Sequence, residues 1–345
     1  MKALVYEGPR QMRIHDYPEC FPKKGEVKIK IKYCGICGSD LHGYTGASGR
    51  KIPPMVMGHE FSGVVTELGE GARKFKVGDR VSVLPVENCG TCEFCKKGSA
   101  NICANRRNLG VLDVDGAFTE FICQNEKYVY PLSERVSDVE GALLEPLSVA
   151  FHAVDCAKPL DGCNVLIAGT GTIGLLILML VKANNAAKII VTDLSEERLA
   201  LARRFGADIT VNPLRQDLGK ALEEAGVRDN VHVAIECVGA TPTCQQTVDY
   251  VKIQGRIVWV GNAAKMIEVN MQNIVTRELS IRGTYAFTDK DFSGALQMLE
   301  EQRIPAKEIV TRIVKLEDTT DAFEELVKGE GKDIKVLVDV NDSDA

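Results

Sequence analysis

The sequence has few aromatic residues, few histidines and no long apolar run. Aromatic side chains make up 6% of the 345 residues, with one tryptophan and five histidines. The longest apolar run, IGLLILMLV at 173–181, is far too short to cross a bilayer. No apolar core with a cleavage site follows the first residues, MKALVYEGPRQMRI. We therefore expect neither a signal peptide nor a membrane partner.

The chain also lacks an excess of positive charge, internal repeats and low-complexity linkers. Lysine and arginine number 42 against 48 aspartates and glutamates, which gives a formal net charge of −6. This balance argues against a nucleic-acid partner. With 45% hydrophobic and 26% charged residues, the composition is typical of a folded globular chain, and its length suggests about two domains. We expect a soluble, cytoplasmic protein.

Cysteine, by contrast, is abundant. Twelve cysteines occur, and four of them fall in CGTCEFCKKGSANIC at 89–103. Because thiols stay reduced inside cells, the spacing C-x2-C-x2-C-x7-C favours a metal site over disulfides. Unligated thiols and a redox dithiol are the alternatives, but no strand-CxxC-helix unit surrounds the cluster. We predict a closed structural zinc site with the ligands Cys89, Cys92, Cys95 and Cys103.

Two periodicities divide the chain. Residues 1–148 contain short strand-like segments separated by glycine and proline, which predict a β-barrel-like domain. Residues 149–287 alternate apolar strands with helices, which predicts a doubly wound parallel sheet. Residues 288–345 contain helical patterns and the strand IKVLVDV, and we expect them to rejoin the first domain.

The turn GTGTIG carries the glycines of a dinucleotide-binding pattern, Gly169, Gly171 and Gly174. It follows the strand NVLIAG and opens an apolar helix, which is the context that the pattern requires. Asp193 ends the next strand, where an acid accepts from a ribose hydroxyl and repels a 2′-phosphate. NAD is therefore favoured, although Arg198 keeps NADP open as an alternative. A glycine turn used only for packing also stays open.

A second group of zinc donors lies upstream. Cys37 occupies a glycine-rich turn with Asp40 and His42, and His59 and Glu60 follow one another in MGHEFSG. Taken singly, these residues are also compatible with a core thiol, a packed ring and a surface acid. The glycine-rich turn around Cys37 argues against the first of these interpretations, and Gly58 directly before His59 argues against the second.

Six segments resemble those of the zinc-dependent medium-chain dehydrogenases/reductases, in order and over essentially the whole chain. They are GICGSDLHGY, MGHEFSGVV, VGDRV, CGTCEFCKKGSANIC, LLEPLSVAFHA and GTGTIG. The segment EPLSVAFHA most resembles the polyol branch, which contains sorbitol (L-iditol), galactitol-1-phosphate and butanediol dehydrogenases. The resemblance implies a GroES-like β-barrel catalytic domain, at 1–148 with 288–345, and a Rossmann NAD-binding domain at 149–287.

The resemblance also implies residue roles. Cys37 and His59 are catalytic zinc ligands, and Glu60 and Glu145 are candidates for the remaining position, so that which acid binds at rest stays open. Classical alcohol dehydrogenases carry cysteine at the position of Glu145, and an oxygen-rich site makes the metal a stronger Lewis acid. Ser39 and His42 are candidates for a proton relay. Besides the three glycines of the turn, Asp193 and Arg198, the residues predicted to bind the cofactor are Thr172, Ile173, Val260 and Gly261.

The expected activity is hydride transfer from a secondary alcohol of a polyol, sugar alcohol or vicinal diol to NAD, with two Zn²⁺ per chain. The alternatives are an NADP-preferring enzyme, an L-threonine or simple secondary alcohol dehydrogenase, and a non-catalytic nucleotide-binding protein. A phosphorylated substrate would need anchors, for which Lys51, Arg106 and Arg107 are candidates. By analogy with the family, Tyr44, Phe118 and Tyr285 are candidates to line the pocket. A homodimer or homotetramer is expected, and SIRGTYAF is the candidate edge strand of the cofactor domain through which the subunits would pair.

Overall fold

The computed structural model describes residues 1–329 and 333–341. The chain forms two compact units. The first unit comprises Met1–Glu145, Thr288–Gln302 and Ala306–Ala345, and the second comprises Pro146–Phe287 and Arg303–Pro305. The division falls inside one continuous helix, Asp138–Ala157. Among the described residues, no helix combines the length and the apolarity that crossing a membrane requires.

The first unit is built mainly from strands. Its strands are β1 (Lys2–Gly8), β2 (Gln11–Asp16), β3 (Glu26–Gly35), β4 (Met55–Val56), β5 (Glu60–Leu68), β6 (Arg80–Val83), β7 (Val86–Glu87), β8 (Arg107–Asn108), β9 (Phe121–Asn125), β10 (Val129–Pro131), β17 (Val310–Lys315) and β18 (Lys335–Asp339). Its helices are α1 (Gly38–Tyr44), α2 (Glu93–Lys96), α9 (Asp289–Glu300) and α10 (Thr319–Lys328). Short 3-10 turns lie at Ala100–Ile102, Glu126–Tyr128, Ala306–Ile309 and Leu316–Asp318.

Strand β3 organises the largest sheet of the first unit. The strand order is β10-β6-β5-β3-β18-β17, and β9 also pairs with β3. Strand β18 pairs with the last residues of β3, so that a strand near the end of the chain lies beside one near its beginning. The smaller sheets have the orders β2-β1-β4 and β7-β8.

The sequence of β3, EVKIKIKYCG, alternates apolar residues with lysines, and this explains its position. Val27, Ile29 and Ile31 are fully buried in the apolar core of the first unit. Alternation predicts that the lysines between them face solvent. Lys30 does so, but Lys28 is only 6% exposed, because residues of the preceding loop cover it.

The second unit contains a six-stranded parallel sheet. Its strands are β11 (Asn164–Ala168), β12 (Lys188–Thr192), β13 (Ile209–Val211), β14 (Val233–Glu236), β15 (Arg256–Trp259) and β16 (Ser280–Gly283). Its helices are α4 (Thr172–Ala183), α5 (Glu196–Phe205), α6 (Leu218–Glu224), α7 (Thr241–Tyr250) and α8 (Met271–Thr276), and α3 is the helix Asp138–Ala157.

The strand order of this sheet is β13-β12-β11-β14-β15-β16. Successive strands are added on one side of β11 as far as β13, and then on the other side from β14 to β16. This is the doubly wound order of dinucleotide-binding domains, with the ligand crevice beyond the carboxyl ends of β11 and β14. The prediction of a doubly wound parallel sheet in this part of the chain is confirmed. The predicted strand over SIRGTYAF is shorter than expected: β16 ends at Gly283, and Ala286 adopts a left-handed conformation that no strand continues through.

Candidate metal centres and cofactor turn

The four cysteines of the 89–103 segment come together in the structure. Their sulfur atoms are separated by 3.5 Å (Cys92 to Cys95 and Cys103 to Cys89), 3.8 Å (Cys92 to Cys103) and 4.0 Å (Cys89 to Cys95). Zinc–sulfur bonds of about 2.3 Å place the sulfurs of a tetrahedral site about 3.8 Å apart. The donor set therefore fits a four-coordinate zinc ion.

Tight local structure brings these sulfurs together. Gly90 and Gly98 have positive φ angles of 68° and 79°, which turn the chain before and after α2. The backbone N–H of Cys92 donates to the sulfur of Cys89 at 3.4 Å. Backbone hydrogen bonds from Thr91 and Cys92 lower the pKa of the Cys89 thiol, and thiolates are the form that metals bind.

The second candidate centre consists of Cys37, His59 and Glu60. One ligand atom from each of the three lies within 4.8 Å of the others. Cys37 caps the N-terminus of α1, and Glu60 opens β5. Between β4 and β5, Gly58 has a φ of 96°, and a Cβ there would lie 2.8 Å from the sulfur of Cys34. Glycine at 58 is thus what permits the bend that presents His59.

Glu60 is held by a buried cation that the sequence analysis missed, Lys335. The Lys335 ammonium forms an ion pair with the Glu60 carboxylate, and it donates to the carbonyl oxygen of Ile36 at 2.9 Å. Both side chains are 2% exposed. Burial opposes the charge of Lys335, but attraction to Glu60 and Cys37 outweighs burial and raises the pKa of the lysine. A Cβ on Gly35 would lie 2.1 Å from Glu60 Oε2, so glycine leaves the space for this pair.

A second buried ion pair supports the other side of the centre. Asp40 accepts from Lys51 Nζ at 2.7 Å and from the backbone N–H of Cys37 at 3.2 Å, and its Oδ1 lies 3.6 Å from His59 Nδ1. Burial alone would raise the pKa of Asp40, but the charges of Lys51 and His59 outweigh it, so that the pKa is lowered. The ammonium of Lys51 also donates to the carbonyl of Gly110. These buried contacts oppose the interpretation of Lys51 as a phosphate anchor.

The electrostatics of the centre suit a cation. Burial raises the pKa of the Cys37 thiol to about 11, and the negative charges of Glu60 and Asp40 add to that rise. His59 Nδ1 is buried and has no hydrogen-bond partner within 1–329 and 333–341. A Zn²⁺ ion would supply the positive charge that favours the thiolate, so the donor set fits the metal.

The other predicted catalytic residues lie near this centre but are not all part of the three-residue cluster. Glu145 is outside the group of mutually close ligand atoms. Burial raises the pKa of Glu145 to about 8, with His59 opposing the rise and Glu60 and Cys37 contributing to it. Ser39 hydrogen-bonds to the Cys37 side chain, and His42 is exposed in the last turn of α1. The charges of the centre therefore affect the pKa of Glu145, although its carboxylate oxygens are not among the ligand atoms that lie within 4.8 Å of one another.

Two aromatic residues proposed to line a pocket are instead part of the core. Tyr44 and Phe118 are 1% and 0% exposed, and both pack edge-on against the ring of Phe323. Neither ring is open to a substrate in this structure. The hydroxyl of Tyr44 donates to Glu324 at 2.7 Å, which satisfies its polar atom.

The glycine turn of the second unit has the expected geometry. Gly169 follows β11 with a φ of 94°, and a Cβ on Gly174 would lie 1.9 Å from the carbonyl oxygen of Gly169. A Cβ on Gly171 would meet no atom within 4 Å. Gly171 caps α4, which begins with Thr172 and Ile173. Glycine is thus needed for chain packing at 174, whereas the space beside Gly171 is open to a ligand.

Asp193 is fixed beside this turn. Its Oδ2 accepts from the backbone N–H and the hydroxyl of Thr170, at 2.8 and 2.9 Å, and its Oδ1 accepts from the N–H of Ser195 at 2.9 Å. Arg198 lies in the first turn of α5, where its N–H donates to Ser195. The carboxylate of Asp193 is therefore held at the carboxyl end of β12.

Val260 and Gly261 follow the end of β15, on the same edge of the sheet as the glycine turn. Their N–H groups donate to the carbonyl of Glu236 at 2.9 and 3.2 Å. A Cβ on Gly261 would lie 2.0 Å from the backbone nitrogen of Gly239, so this close approach requires glycine. The residues predicted from the sequence to bind the cofactor thus lie at or just beyond the carboxyl ends of β11, β12 and β15.

We predict that Cys95→Ser will lower the zinc content from about two ions per chain to about one, because three donors hold a structural zinc poorly. Zinc is measured by mass spectrometry of the metal after gel filtration. Cys163→Ser, which removes a thiol far along the sequence from both clusters, should keep two. Retention of two zinc ions by Cys95→Ser would contradict the assignment of a structural zinc site to residues 89–103, the cysteine lobe.

Comparison with known proteins agrees with the geometry. Residues 23–134 match the alcohol dehydrogenase GroES-like domain, and residues 172–301 match the zinc-binding dehydrogenase family. A sorbitol dehydrogenase of Halalkalibacterium halodurans is 35% identical, over 98% of this chain and 99% of that protein.

Solved structures agree as well. An Escherichia coli oxidoreductase/dehydrogenase of unknown specificity has a TM-score of 0.94 and 32% identity, with 99% of each chain covered. The 2R,3R-butanediol dehydrogenase of Bacillus subtilis has a TM-score of 0.90 and 34% identity, again with 99% of each chain covered. The predicted cofactors, zinc and a nicotinamide dinucleotide, agree with the zinc-binding family that the chain matches and with a similar structure, a zinc-binding dehydrogenase of Sinorhizobium meliloti 1021 bound to NADP. The chain belongs to the zinc-binding dehydrogenases of the medium-chain type, in their polyol branch.

Proposed function

We propose that this protein oxidises a secondary hydroxyl group of a polyol, sugar alcohol or vicinal diol to a ketone, with NAD as the hydride acceptor. The observation that carries the proposal is the convergence of Cys37, His59 and Glu60, whose ligand atoms lie within 4.8 Å of one another. The similarity to a sorbitol dehydrogenase and to a butanediol dehydrogenase supports a substrate with neighbouring hydroxyl groups.

Cys37, His59 and one of two acids, Glu60 or Glu145, would hold the catalytic zinc, and the four cysteines of the lobe would hold the structural one. When bound, the metal acts as a Lewis acid on a substrate hydroxyl, and the dinucleotide accepts the hydride. A donor set with one thiolate and an oxygen is harder than a two-thiolate set, which favours oxygen-rich substrates. Both predicted metal sites lie within the first unit.

The two acids near the centre, Glu60 and Glu145, have different surroundings. The buried Lys335 ammonium forms an ion pair with the Glu60 carboxylate. For Glu145 the largest effect is burial, which raises the pKa to about 8, so that this acid can hold a proton at neutral pH. The two acids therefore suit different tasks: Glu60 as a charged donor, and Glu145 as a group that takes up or releases a proton.

The short helix α1 offers a route for the proton that the substrate hydroxyl must lose. Ser39 hydrogen-bonds to the Cys37 side chain, and both Ser39 and His42 are exposed. Residues three apart lie on the same side of a helix. We assign Ser39 Oγ as the first proton carrier and the His42 ring as the acceptor at the solvent end.

Asp193 supports NAD over NADP. Its carboxylate is fixed by Thr170 and Ser195 at the end of β12, where a 2′-phosphate would meet its negative charge. Arg198, close by on α5, is the residue that would favour NADP.

The twelve unpaired cysteines support a cytoplasmic location, since thiols stay reduced there. We also propose a homodimer or homotetramer formed through β16. This strand is at the edge of its sheet, and Met271 and Val275 of α8 are 71% and 64% exposed.

The proposed assembly predicts a mass of two or four chains in analytical ultracentrifugation. Because each edge strand has unpaired backbone groups, two copies can complete each other through β16. Ile281→Pro, which removes a β16 donor, should dissociate the assembly, and Ile313→Pro in β17 of the other unit serves as the comparison. A wild-type monomer would contradict the proposal.

The substrate class is tested by following NADH formation at 340 nm with sorbitol, xylitol, galactitol 1-phosphate, butane-2,3-diol, propan-2-ol and L-threonine. We expect kcat/KM for a polyol or diol to exceed that for propan-2-ol and L-threonine by at least about tenfold, a difference of about 1.4 kcal/mol in transition-state binding.

Cys37→Ser should lower that turnover by roughly a thousandfold or more and should remove one zinc per chain, whereas Cys163→Ser should change neither. Absence of turnover on the whole panel with two zinc ions bound would contradict the substrate class, whereas absence of turnover with only the structural zinc bound would favour a non-catalytic nucleotide-binding protein. Preference for L-threonine or propan-2-ol would contradict the polyol assignment alone.

Asp193→Asn should raise the ratio of kcat/KM with NADP to that with NAD by about tenfold or more, because it removes the charge that repels a 2′-phosphate. Glu197→Gln removes the same charge four residues away and should leave the ratio nearly unchanged. A wild-type preference for NADP, or an unchanged ratio in Asp193→Asn, would contradict the cofactor assignment.

A further inference from the structure

Two cysteines outside both metal clusters lie side by side. The thiol of Cys123 donates to the sulfur of Cys20 at 2.8 Å, a separation only about 0.8 Å longer than a disulfide bond. Cys123 is on β9, and Cys20 is in the loop at 17–25 that joins β2 to β3. The two residues are 103 positions apart in the sequence, so their contact is a product of the fold.

A buried cation accompanies the pair. Lys28 of β3 is directly opposite Cys123 in the β3–β9 ladder. Its ammonium forms an ion pair with Glu19, the residue before Cys20, and lies 5.3 and 4.9 Å from the ring centroids of Phe21 and Phe121. The Lys28 side chain is 7% exposed, whereas the two cysteines are partly exposed. A positive charge is therefore fixed beside thiols that a small reagent can reach.

The surroundings make the two thiols unequal. The hydrogen bond from Cys123 and the charge of Lys28 lower the pKa of Cys20. Burial and the charge of Glu19 oppose this lowering but do not cancel it. The same hydrogen bond, burial and the charge of Cys20 raise the pKa of Cys123. One thiol is thus the better nucleophile and the other its proton-bearing neighbour, as in dithiols that exchange disulfides.

We propose that Cys20 and Cys123 form a redox-active dithiol, which a low-molecular-weight disulfide such as glutathione disulfide converts into a reversible intramolecular disulfide. In the first step the Cys20 thiolate attacks one sulfur of glutathione disulfide, forms a mixed disulfide and releases one glutathione thiolate. In the second step the sulfur of Cys123 loses its proton, attacks the sulfur of Cys20 and releases the second glutathione. Two protein thiols are oxidised and one disulfide is reduced to two thiols, so that electrons and protons balance.

The consequence for the fold is a covalent connection between the 17–25 loop and β9. The loop precedes β3, and β9 pairs with the first residues of β3, from Glu26 to Lys30. Oxidation therefore closes a long chain segment around the start of β3. A bond of this kind raises thermal stability, here by roughly 5 °C in the unfolding of the first unit.

The test uses the purified zinc-loaded protein, treated with excess glutathione disulfide at pH 7.5 and digested with trypsin after the remaining thiols are alkylated. Cys20 and Cys123 fall in the tryptic peptides 14–23 and 108–127, each of which contains a single cysteine. We expect these two peptides to appear joined, with unchanged zinc content, and to separate after reduction with dithiothreitol.

Single variants test the order of the steps. Cys123→Ser should accumulate the glutathione adduct on Cys20, because no second thiol is left to release it. Cys20→Ser should react much more slowly at Cys123. Lys28→Met should raise the pKa of Cys20 and slow the first step by about threefold for each pKa unit. The thiolate fraction falls about tenfold per unit, but the remaining thiolate is more nucleophilic, which offsets part of the loss. Cys163→Ser is the matched control and should form the joined peptides at the wild-type rate.

The proposal would be overturned by glutathione adducts at Cys20 and Cys123 that never convert to the joined peptides, or by joined peptides drawn only from the 89–103 lobe. Equal rates in Cys20→Ser and Cys123→Ser would overturn the assignment of Cys20 as the attacking thiol. The readout requires no substrate turnover, so it is independent of the proposed dehydrogenase activity.

Discussion

The buried ion pair between Lys335 and Glu60 is the constraint on which the first unit depends. Removing two charges from water costs several kcal/mol for each ion, and loss of one partner leaves the other unpaired at a cost of about 3–5 kcal/mol. The pair persists only where β3, β5 and β18 meet, since Gly35, Glu60 and Lys335 come from these three strands. The same contact therefore joins three strands of the sheet and contributes to the charge of the candidate metal centre.

Asp40 and Lys51 repeat this arrangement on the other side of Cys37 and His59. Each candidate donor of the centre is thus adjacent to a buried group of fixed charge. The centre is positioned by electrostatics and by glycines that permit close approach, at positions 35 and 58. The cysteine lobe differs, because its donors lie within fifteen residues and need only local turns.

This difference explains how much of the protein could be predicted from the sequence. Local patterns predicted the cysteine lobe, the glycine turn and the alternation of strands with helices in the second unit. Lys335 was missed because its partner, Glu60, is about 275 residues away, and only a lysine in an otherwise apolar strand signalled it. Lys28, Lys51, Tyr44 and Phe118 were expected at exposed or pocket positions, but distant segments cover them. Local periodicity cannot report such coverage, since it depends on tertiary contacts.

The pairing of β18 with β3 has a consequence for biosynthesis. A ribosome makes β3, β5 and residues 37–60 first, and Lys335 follows about 275 residues after Glu60. Until then Glu60 lacks the lysine with which it pairs in the folded chain, and the sheet of the first unit lacks two of its strands, β17 and β18. The sheet of the second unit, in contrast, is complete in the nascent chain once residue 283 has emerged. Translation therefore presents a finished nucleotide-binding sheet while the candidate metal centre still lacks Lys335 of β18, and exposed strand edges of the first unit are what a chaperone would meet during that interval.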